Sequence, residues 1–340
     1  MRARIDIHFS HRDKYLFVSG ESYKPSENEF LLNHARSAIL LALRAIGLPV
    51  GSRVGVMVYN CHTVFNAVAQ AGYIPVFLDV TEQLKLDFED LKRKINGLSA
   101  IVVTHLFGIV NDVEHIKKEY PDLIIIEDCA HATGIDHLFG DFATFSIGQG
   151  KLPSIGDGGL LNVLNDSYLE KARALFNNLP EYTKTQTTRL YLRLCIYSLL
   201  HSRFLYGWLT LPMKNRRRFS SGKENIVPMK MCRGISAIYA EEKMGLSEMI
   251  NLRKSNAQQM MAAFFREKGR PLVGCNGFML IIHCDDPKAL QSEYRKIGID
   301  TDTHFGNCLK WAAEFGYKPG DCPTTEKLVQ HLLMVPTYLR

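Results

Sequence analysis

Short apolar runs rich in β-branched residues alternate with helical patterns over the first half of the chain, and this alternation constrains the fold most. The strand-like runs are 54–59, 74–78, 100–104 and 123–126. The helix-like stretches are 63–71, 88–95 and 113–119. Strands that are apolar throughout and separated by helices predict an α/β fold with a mainly parallel sheet, covered by helices on both faces. Ligands of such folds bind at the carboxyl ends of the strands.

Length and composition predict an enzyme-sized protein with two domains. The chain has 340 residues, of which 46% are hydrophobic and 22% are charged, so it can bury a large core. We expect a large domain over 1–234, and over 235–340 a long helix followed by a smaller C-terminal α+β domain. Charged residues interrupt the first residues too often for a signal peptide, so we expect a cytoplasmic protein.

Eight cysteines are scattered along the chain without a C-x-x-C pair or a matching histidine cluster. This spacing indicates neither a disulfide framework nor a metal site. We therefore expect free thiols and no bound metal.

The net charge of +6 is concentrated in one segment, the basic insertion at about 180–230. Between Tyr182 and Arg218 it carries eight cations and no acidic residue. Nucleic-acid binders normally show a broader basic stripe, so this local charge predicts contact with an anion or a membrane surface and no nucleic acid.

The stretch 190–211 of the basic insertion is rich in Leu, Tyr, Phe and Trp, but arginines interrupt it too often for a helix that spans a bilayer. Residues 190–218 could lie at the membrane surface, with their aromatics in the headgroup zone and their arginines on anionic lipid. They could equally form a hairpin packed on the enzyme or across a dimer. The sequence leaves both interpretations open.

A carboxylate, a hydroxyl and a lone lysine follow one another after the last apolar run. Asp128 comes directly after that run, and Ser146 and Lys151 lie in the segment Phe-Ser-Ile-Gly-Gln-Gly-Lys. These three groups are typical of a pyridoxal phosphate site, where the acid keeps the pyridine nitrogen protonated, the hydroxyl helps to hold the phosphate and the lysine forms the Schiff base. The start of the helical pattern at 34–44 could supply amides for the phosphate, although the segment taken alone favours an ordinary buried helix start.

The sequence lacks the motifs of two nucleotide-binding folds. The acidic end of the run 123–128 resembles the metal-binding strand of a P-loop NTPase, but the chain has no G-x-x-x-x-G-K-[ST]. No G-x-G-x-x-G follows the first strand either, which argues against a dinucleotide fold.

At 33–163 and 234–338 the chain resembles the DegT/DnrJ/StrS group of pyridoxal-phosphate sugar aminotransferases, which have the aspartate-aminotransferase type of fold (fold type I). The resemblance rests on Glu-Asp-Cys-Ala-His-Ala-Thr-Gly at 127–134 and on the offsets from Ser146 to Lys151 and on to Gly158-Gly159. Thr-His-Leu-Phe-Gly at 104–108 and the segment 316–327 support it. It implies a three-layer sheet of the pyridoxal-phosphate-dependent transferase type.

The resemblance also implies roles for particular residues. Lys151 would carry the cofactor as an internal aldimine, Asp128 would pair with the pyridine nitrogen, and His131 would lie near the phenolic oxygen. The phosphate ligands would be Ser146 and groups of Ala35, Arg36 and Ser37. Relatives usually stack a large aromatic on the ring at the position of Cys61, so His62 or Tyr59 would have to substitute.

The activity implied is transfer of an amino group, with glutamate as donor, to a keto-sugar linked to a nucleotide. The resemblance also implies a homodimer with shared active sites. Two alternatives stay open, a sugar dehydratase on the same scaffold and a non-catalytic, regulatory relative. Dehydrating relatives carry histidine at the lysine position, so Lys151 favours the aminotransferase.

Overall fold

The computed structural model describes residues 21–201, 205, 206, 208, 222–264 and 270–338. Much of the segment 190–218, including Arg216, Arg217 and Arg218, lies outside these described residues. The predicted membrane contact of those arginines therefore stays a prediction.

A seven-stranded sheet lies at the centre of the described part of the chain. Its strands are β1 (Glu29–Leu32), β2 (Arg53–Met57), β3 (Ile74–Leu78), β4 (Leu98–Thr104), β5 (Ile124–Asp128), β6 (Phe142–Ser146) and β7 (Gly159–Val163). Their order is β1-β7-β6-β5-β4-β2-β3. The five strands from β2 to β6 run parallel, whereas β7 pairs antiparallel with both β6 and β1. The predicted mainly parallel sheet is confirmed.

Helices connect and flank these strands. Their bounds are α1 (Ala35–Ile46), α2 (His62–Gln70), α3 (Phe88–Lys94), α4 (Val113–Glu119), α5 (Leu169–Asn177), α6 (Lys184–Leu200), α7 (Arg233–Met244), α8 (Leu246–Phe264), α9 (Pro287–Lys296), α10 (Cys308–Ala313) and α11 (Pro323–Leu328). Short 3₁₀ turns occupy Leu106–Gly108 and Asp166–Tyr168. The helical pattern that follows the basic insertion forms two helices, α7 and α8, which meet at Gly245, a residue that weakens a helix interior.

A second sheet belongs to the C-terminal part of the chain. Its strands are β8 (Arg270–Val273), β9 (Met279–His283) and β10 (Leu332–Pro336). They pair antiparallel in the order β10-β9-β8. This smaller α+β unit confirms the predicted fold class, whereas the domain boundary near 234 stays a prediction.

Helices cover both faces of the large sheet, because its strands send alternate side chains to opposite sides. Val54 and Val56 of β2 share one core cluster with Leu40 of α1 and Phe65 of α2. Met57, the next residue of the same strand, belongs to the cluster on the other side. Leu40 is fully buried, and burial of such a side chain contributes roughly 1.5–3 kcal/mol. The layers therefore hold the carboxyl ends of the parallel strands in a rigid row.

The first helix of the basic insertion, α6, packs on the loop that carries Lys151. Leu190 and Leu194 of α6 share a buried cluster with Ile147 and Ile155, which flank that loop. No helix among the described residues is long and apolar enough to cross a membrane.

Gly159 lets the start of β7 touch the start of α1. A Cβ built on Gly159 would lie 2.2 Å from the Ala35 nitrogen and 2.3 Å from the His34 carbonyl carbon. Both distances are far below van der Waals contact, and both partners are backbone atoms. Glycine is therefore required for this approach.

We expect Gly159→Ala to lower the free energy of unfolding by about 1–3 kcal/mol, because the added methyl must push backbone segments apart. Urea unfolding measures this change. Gly245→Ala is the matched control, since a Cβ there meets no described atom within 4 Å. Equal stability of the wild type and Gly159→Ala would contradict the close approach.

Candidate active site

Asp128 ends β5 with a buried carboxylate. Its Oδ2 accepts a hydrogen bond from the Thr104 hydroxyl at 3.1 Å, and its Oδ1 accepts one from the Ala130 amide, also at 3.1 Å. Asn60 Nδ2 donates to Thr104 Oγ1 at 2.7 Å and so orients the hydroxyl. Burial raises the pKa of Asp128 above its ordinary value, although these hydrogen bonds and the charge of Lys151 act to lower it. A cation placed against this carboxylate would stabilise its charged form.

Lys151 lies in the glycine-rich loop between β6 and β7. The amides of Ile155 and Gly156 both donate to the Ile147 carbonyl, at 3.0 and 3.1 Å, and so close the base of the loop. Gly150 has a φ of 71°, in the left-handed region that glycine adopts without strain. The loop thus presents the lysine at a fixed place next to the end of β5.

The start of α1 faces the same place and offers positive groups. The first amides of a helix, here those of Ala35 and Arg36, have no acceptor within the helix, and the helix dipole adds positive potential. His34 precedes them, and its Nδ1 lies 3.2 Å from Asp157 Oδ1. Arg36 Nε lies 3.3 Å from Glu224 Oε1. A helix start of this kind can hold a phosphate or another anion.

These elements enclose one cavity of about 510 Å³. The predicted site residues that line it are Ala35, Arg36, Cys61, Asp128, His131, Ser146 and Lys151. The fold therefore brings together in space seven residues that the sequence predicted from four separate segments.

His131 lies in an aromatic cage at the cavity wall. Its ring stacks on Phe278 at 4.8 Å and on Phe107 at 5.2 Å, and it also lies nearly parallel to Phe305. The Phe107 amide donates to His131 Nδ1 at 3.2 Å. Burial, with the charges of Lys151 and His304, lowers the pKa of His131 well below its ordinary value. The imidazole is therefore neutral, and because Nδ1 accepts, its proton is on Nε2.

Cys61 stands at the start of α2 within a small polar cluster. Thr63 Oγ1 donates to Cys61 Sγ at 3.2 Å, and His62 Nδ1 lies 3.9 Å from the same sulfur. Burial lowers the pKa of His62, but Cys61 and Glu224 outweigh it and raise that pKa to about 9. Burial raises the pKa of Cys61, whereas His62 and Thr63 lower it more, so the net shift is downward. The cluster thus favours a thiolate beside an imidazolium.

Three residues discussed as cofactor contacts lie behind the cavity wall. Ser37 is fully buried, and its Oγ has no hydrogen-bond partner among the residues that the structure describes. His62 turns towards Glu224 and packs on Trp311 with ring centroids 4.9 Å apart. The Tyr59 hydroxyl donates to the His304 carbonyl at 2.7 Å, within the core. Neither the His62 nor the Tyr59 ring lines the cavity, whereas Cys61 does.

The structure also adds wall residues that sequence reasoning missed. They are Asn60, Thr104, Asp157, Arg193, Tyr197 and Phe305. Thr104 ends a predicted strand, which could have indicated its place at the sheet edge. Arg193 and Tyr197 belong to the basic insertion, whose position relative to the cavity no sequence pattern fixed.

The donor set fits the predicted pyridoxal phosphate. The buried Asp128 carboxylate, the amine in the adjoining loop and the helix start that Gly159 keeps close to β7 match the ring nitrogen, the aldehyde carbon and the phosphate of that cofactor. The fold and the site together are compatible with pyridoxal phosphate as cofactor.

Sequence comparison points to one family. The sequence model of the DegT/DnrJ/EryC1/StrS aminotransferase family matches residues 26–191, just under half of the chain. The GDP-perosamine synthase of Vibrio cholerae is 31% identical over 185 residues, which cover 49% of this chain and 49% of that protein. The chain thus spans about half the length of the curated relatives it matches.

Solved structures share the whole fold at lower identity. The aminotransferase TlmJ from Streptoalloteichus hindustanus has a TM-score of 0.74 at 17% identity and covers 100% of this chain and 94% of its own. The E. coli GDP-4-keto-6-deoxy-D-mannose-3-dehydratase has a TM-score of 0.68 at 19% identity and covers 91% of this chain and 82% of its own. At such identities the likeness shows the fold alone.

We expect Cys61 to be the most reactive thiol of the described residues at neutral pH, because the adjacent imidazolium and hydroxyl stabilise its thiolate. Iodoacetamide labelling followed by peptide mass spectrometry measures the rate at each cysteine. His62→Gln should slow the labelling of Cys61 severalfold at neutral pH, and in the wild type the rate should fall as the pH is lowered and the thiolate takes up a proton.

Cys275 is the internal control, since it is also half-buried but burial raises its pKa. Labelling of Cys61 no faster than that of Cys275 would show that the thiolate is not stabilised.

Proposed function

We propose that the protein is a pyridoxal-phosphate-dependent aminotransferase that moves an amino group from glutamate to a keto-sugar linked to a nucleotide. The observation that carries this proposal is that Lys151 and the buried carboxylate of Asp128 line one cavity. The name of the Vibrio cholerae relative, a GDP-perosamine synthase, supports a nucleotide-linked sugar. A cytoplasmic location stays a prediction.

The cofactor would be held at three points. Lys151 would bind it covalently through its amine, and Asp128 would keep the pyridine nitrogen protonated through a charge-assisted hydrogen bond. The first amides of α1 and the Ser146 hydroxyl would hold its phosphate. When bound, pyridoxal phosphate supplies the electron sink that makes the α-proton of an amino acid acidic.

The side chains of this protein would then move the protons. Once released from the cofactor, the Lys151 amine is the basic group of the cavity, and it would take the proton from the donor's α-carbon as general base. The same amine would return a proton as general acid in the second half of the exchange. The neutral His131 would donate a hydrogen bond from Nε2 and leave the proton transfer to Lys151.

A dehydratase is the second candidate on this scaffold, and one solved structure of similar fold is of that type. A dehydratase of this family needs no lysine to carry the cofactor. The presence of Lys151 in the cavity wall therefore favours the aminotransferase.

We expect Lys151→Ala to abolish the visible absorbance of the loaded protein and to lower the rate of glutamate deamination by about 100-fold or more, because it removes both the covalent link and the general base. Absorbance spectra and release of 2-oxoglutarate measure the two effects. Lys118→Ala is the matched control, since Lys118 lies on α4 and pairs with Glu114.

Asp128→Asn tests the role of the carboxylate while the lysine is kept. It should leave the fold intact, because burial already disfavours the charge of Asp128, while the glutamate reaction slows by about 100-fold or more. A wild-type protein that takes up the cofactor but does not change its spectrum with glutamate would contradict the proposed donor. A protein that takes up no cofactor would favour the regulatory alternative.

We also propose that the protein forms a homodimer through α6, whose outer face carries an apolar stripe. Leu192, Ile196 and Leu199 are 60%, 50% and 44% exposed, while the opposite face of α6 is buried on the lysine loop. Such a stripe on a helix next to the site is typical of a contact surface. The alternative is that this stripe and the cations of the basic insertion contact a membrane surface.

We expect the double variant Leu192→Gln and Ile196→Gln to shift the protein from dimer to monomer in sedimentation velocity, because it removes the apolar contact area. Val50→Gln is the control, a still more exposed apolar residue (88%) far from α6 in sequence. Flotation with phosphatidylserine vesicles tests the alternative. If the wild type binds the vesicles and the double variant does not, while both sediment alike, the stripe contacts a membrane and does not form the dimer.

A further inference from the structure

The basic insertion builds part of the cavity wall. Arg193 and Tyr197 of α6 both line the 510 Å³ cavity that contains Lys151 and Asp128. They lie four residues apart and so on one face of the helix. This face belongs to neither the buried cluster of α6 nor the core of the large sheet.

The helix is fixed to the cavity at its beginning. The Tyr182 hydroxyl, just before α6, donates to Asp157 Oδ2 at 2.9 Å, and Asp157 follows the lysine loop. A capping box between Thr183 and Gln186 fixes the first turn. The packing of Leu190 and Leu194 on that loop continues the contact along the helix. Arg193 is therefore held at the cavity by the structure around it.

Beyond α6 the insertion reaches the C-terminal part of the chain. The Tyr206 hydroxyl donates to Asp300 Oδ2, in a buried contact. The ring of His201 packs on Tyr197 at 4.0 Å and on Tyr206 at 5.4 Å. The insertion thus contacts the lysine loop at Asp157 and the C-terminal unit at Asp300, and Arg193 and Tyr197 lie between these two contacts in sequence.

Arg193 stands at the mouth of the cavity. Its side chain lines the cavity and yet is 60% exposed, whereas Asp128 at the floor is buried. Its Nη2 lies 3.8 Å from Asp157 Oδ1, a distance at which the charges attract but no hydrogen bond forms. Asp157 Oδ1 is buried, accepts no hydrogen bond from the described residues and lies 3.2 Å from His34 Nδ1. The guanidinium is therefore attracted to Asp157 without donating a hydrogen bond to this oxygen.

We infer that Arg193 is the residue that binds the phosphate groups of the acceptor substrate at the mouth of the cavity, with Tyr197 beside it as the adjoining wall. This inference rests on the proposed function and adds a residue from the basic insertion to it. A guanidinium binds phosphate oxygens through two parallel hydrogen bonds. A ligand with its reacting carbon near Lys151 and its phosphates at the mouth would span the cavity from floor to opening.

Two other anions could meet Arg193, the phosphate of the cofactor and a carboxylate of the amino donor. The start of α1 and Ser146 already provide a place for the cofactor phosphate on another wall. The experiment separates all three sources.

The test measures binding of GDP and of inorganic pyrophosphate to the cofactor-loaded protein by isothermal titration calorimetry. Arg193→Ala should weaken both by about 10-fold or more, the loss expected for one charged hydrogen-bonding partner. The affinity of Arg193→Lys for both ligands should lie between those of the wild type and Arg193→Ala, because lysine keeps the charge but cannot form the two parallel hydrogen bonds. Arg189→Ala is the matched control, since Arg189 is an exposed cation one turn earlier on the same helix.

In the same variants the affinity for pyridoxal phosphate and the glutamate concentration at half-maximal spectral change should stay as in the wild type. Unchanged GDP and pyrophosphate binding in Arg193→Ala would overturn the inference. A weaker affinity for pyridoxal phosphate alone would also overturn it, because Arg193 would then bind the cofactor phosphate. A weaker response to glutamate alone would overturn it too, because Arg193 would then bind the donor carboxylate. A wild type that binds GDP but does not react with glutamate would count against the proposed function alone.

Discussion

The burial of one carboxylate, that of Asp128, is the constraint on which the site depends. Asp128 and Glu127 are neighbours on β5, so their side chains point to opposite faces of the sheet. Glu127 is fully engaged on its face, where His105 Nε2 lies 2.9 Å from Oε2 and the amides of Phe139 and Gly140 both donate to Oε1 at 2.6 Å. Asp128 has two hydrogen-bond donors and faces a cavity that Lys151, whose charge acts on this carboxylate, also lines. Of two adjacent acids, one is thus held within the protein interior and the other faces the cavity.

The fold supplies what this buried charge needs. β5 lies inside the sheet between β4 and β6, so Thr104 at the end of the neighbouring strand comes within hydrogen-bond distance of Asp128. Asn60, just beyond β2, completes the chain of donors from the next strand in the sheet. Three strand ends in a row therefore build the floor of the cavity, as expected for the carboxyl edge of a parallel sheet. The rigid layers on both faces keep that row in place.

Sequence patterns predicted the parts of this arrangement that depend on local chemistry. The apolar strands have bounds close to those predicted, because buried parallel strands need continuous apolar runs. The seven predicted residues in one cavity follow from strand ends and from the offsets around Lys151. The strands β1 and β6 were missed, since each is short and β6 precedes the glycine-rich loop directly. The stacking position was not predictable, because Tyr59 and His62 find partners in the His304 carbonyl and Glu224, which are distant in sequence.

The sequence predicted the positive charge of the basic insertion but not what that charge contacts. Its excess of cations is visible in the sequence, but charge alone did not distinguish a lipid surface from an anion in a cavity. The position of Arg193 depends on Asp157, a buried carboxylate after the lysine loop that accepts a hydrogen bond from Tyr182 and lies close to His34 and Arg193. Because an unpaired buried charge is costly, Asp157 ties the start of the insertion to the loop that carries Lys151. The membrane contact predicted for the later cations of the insertion stays a prediction, whereas Arg193 is part of the cavity wall.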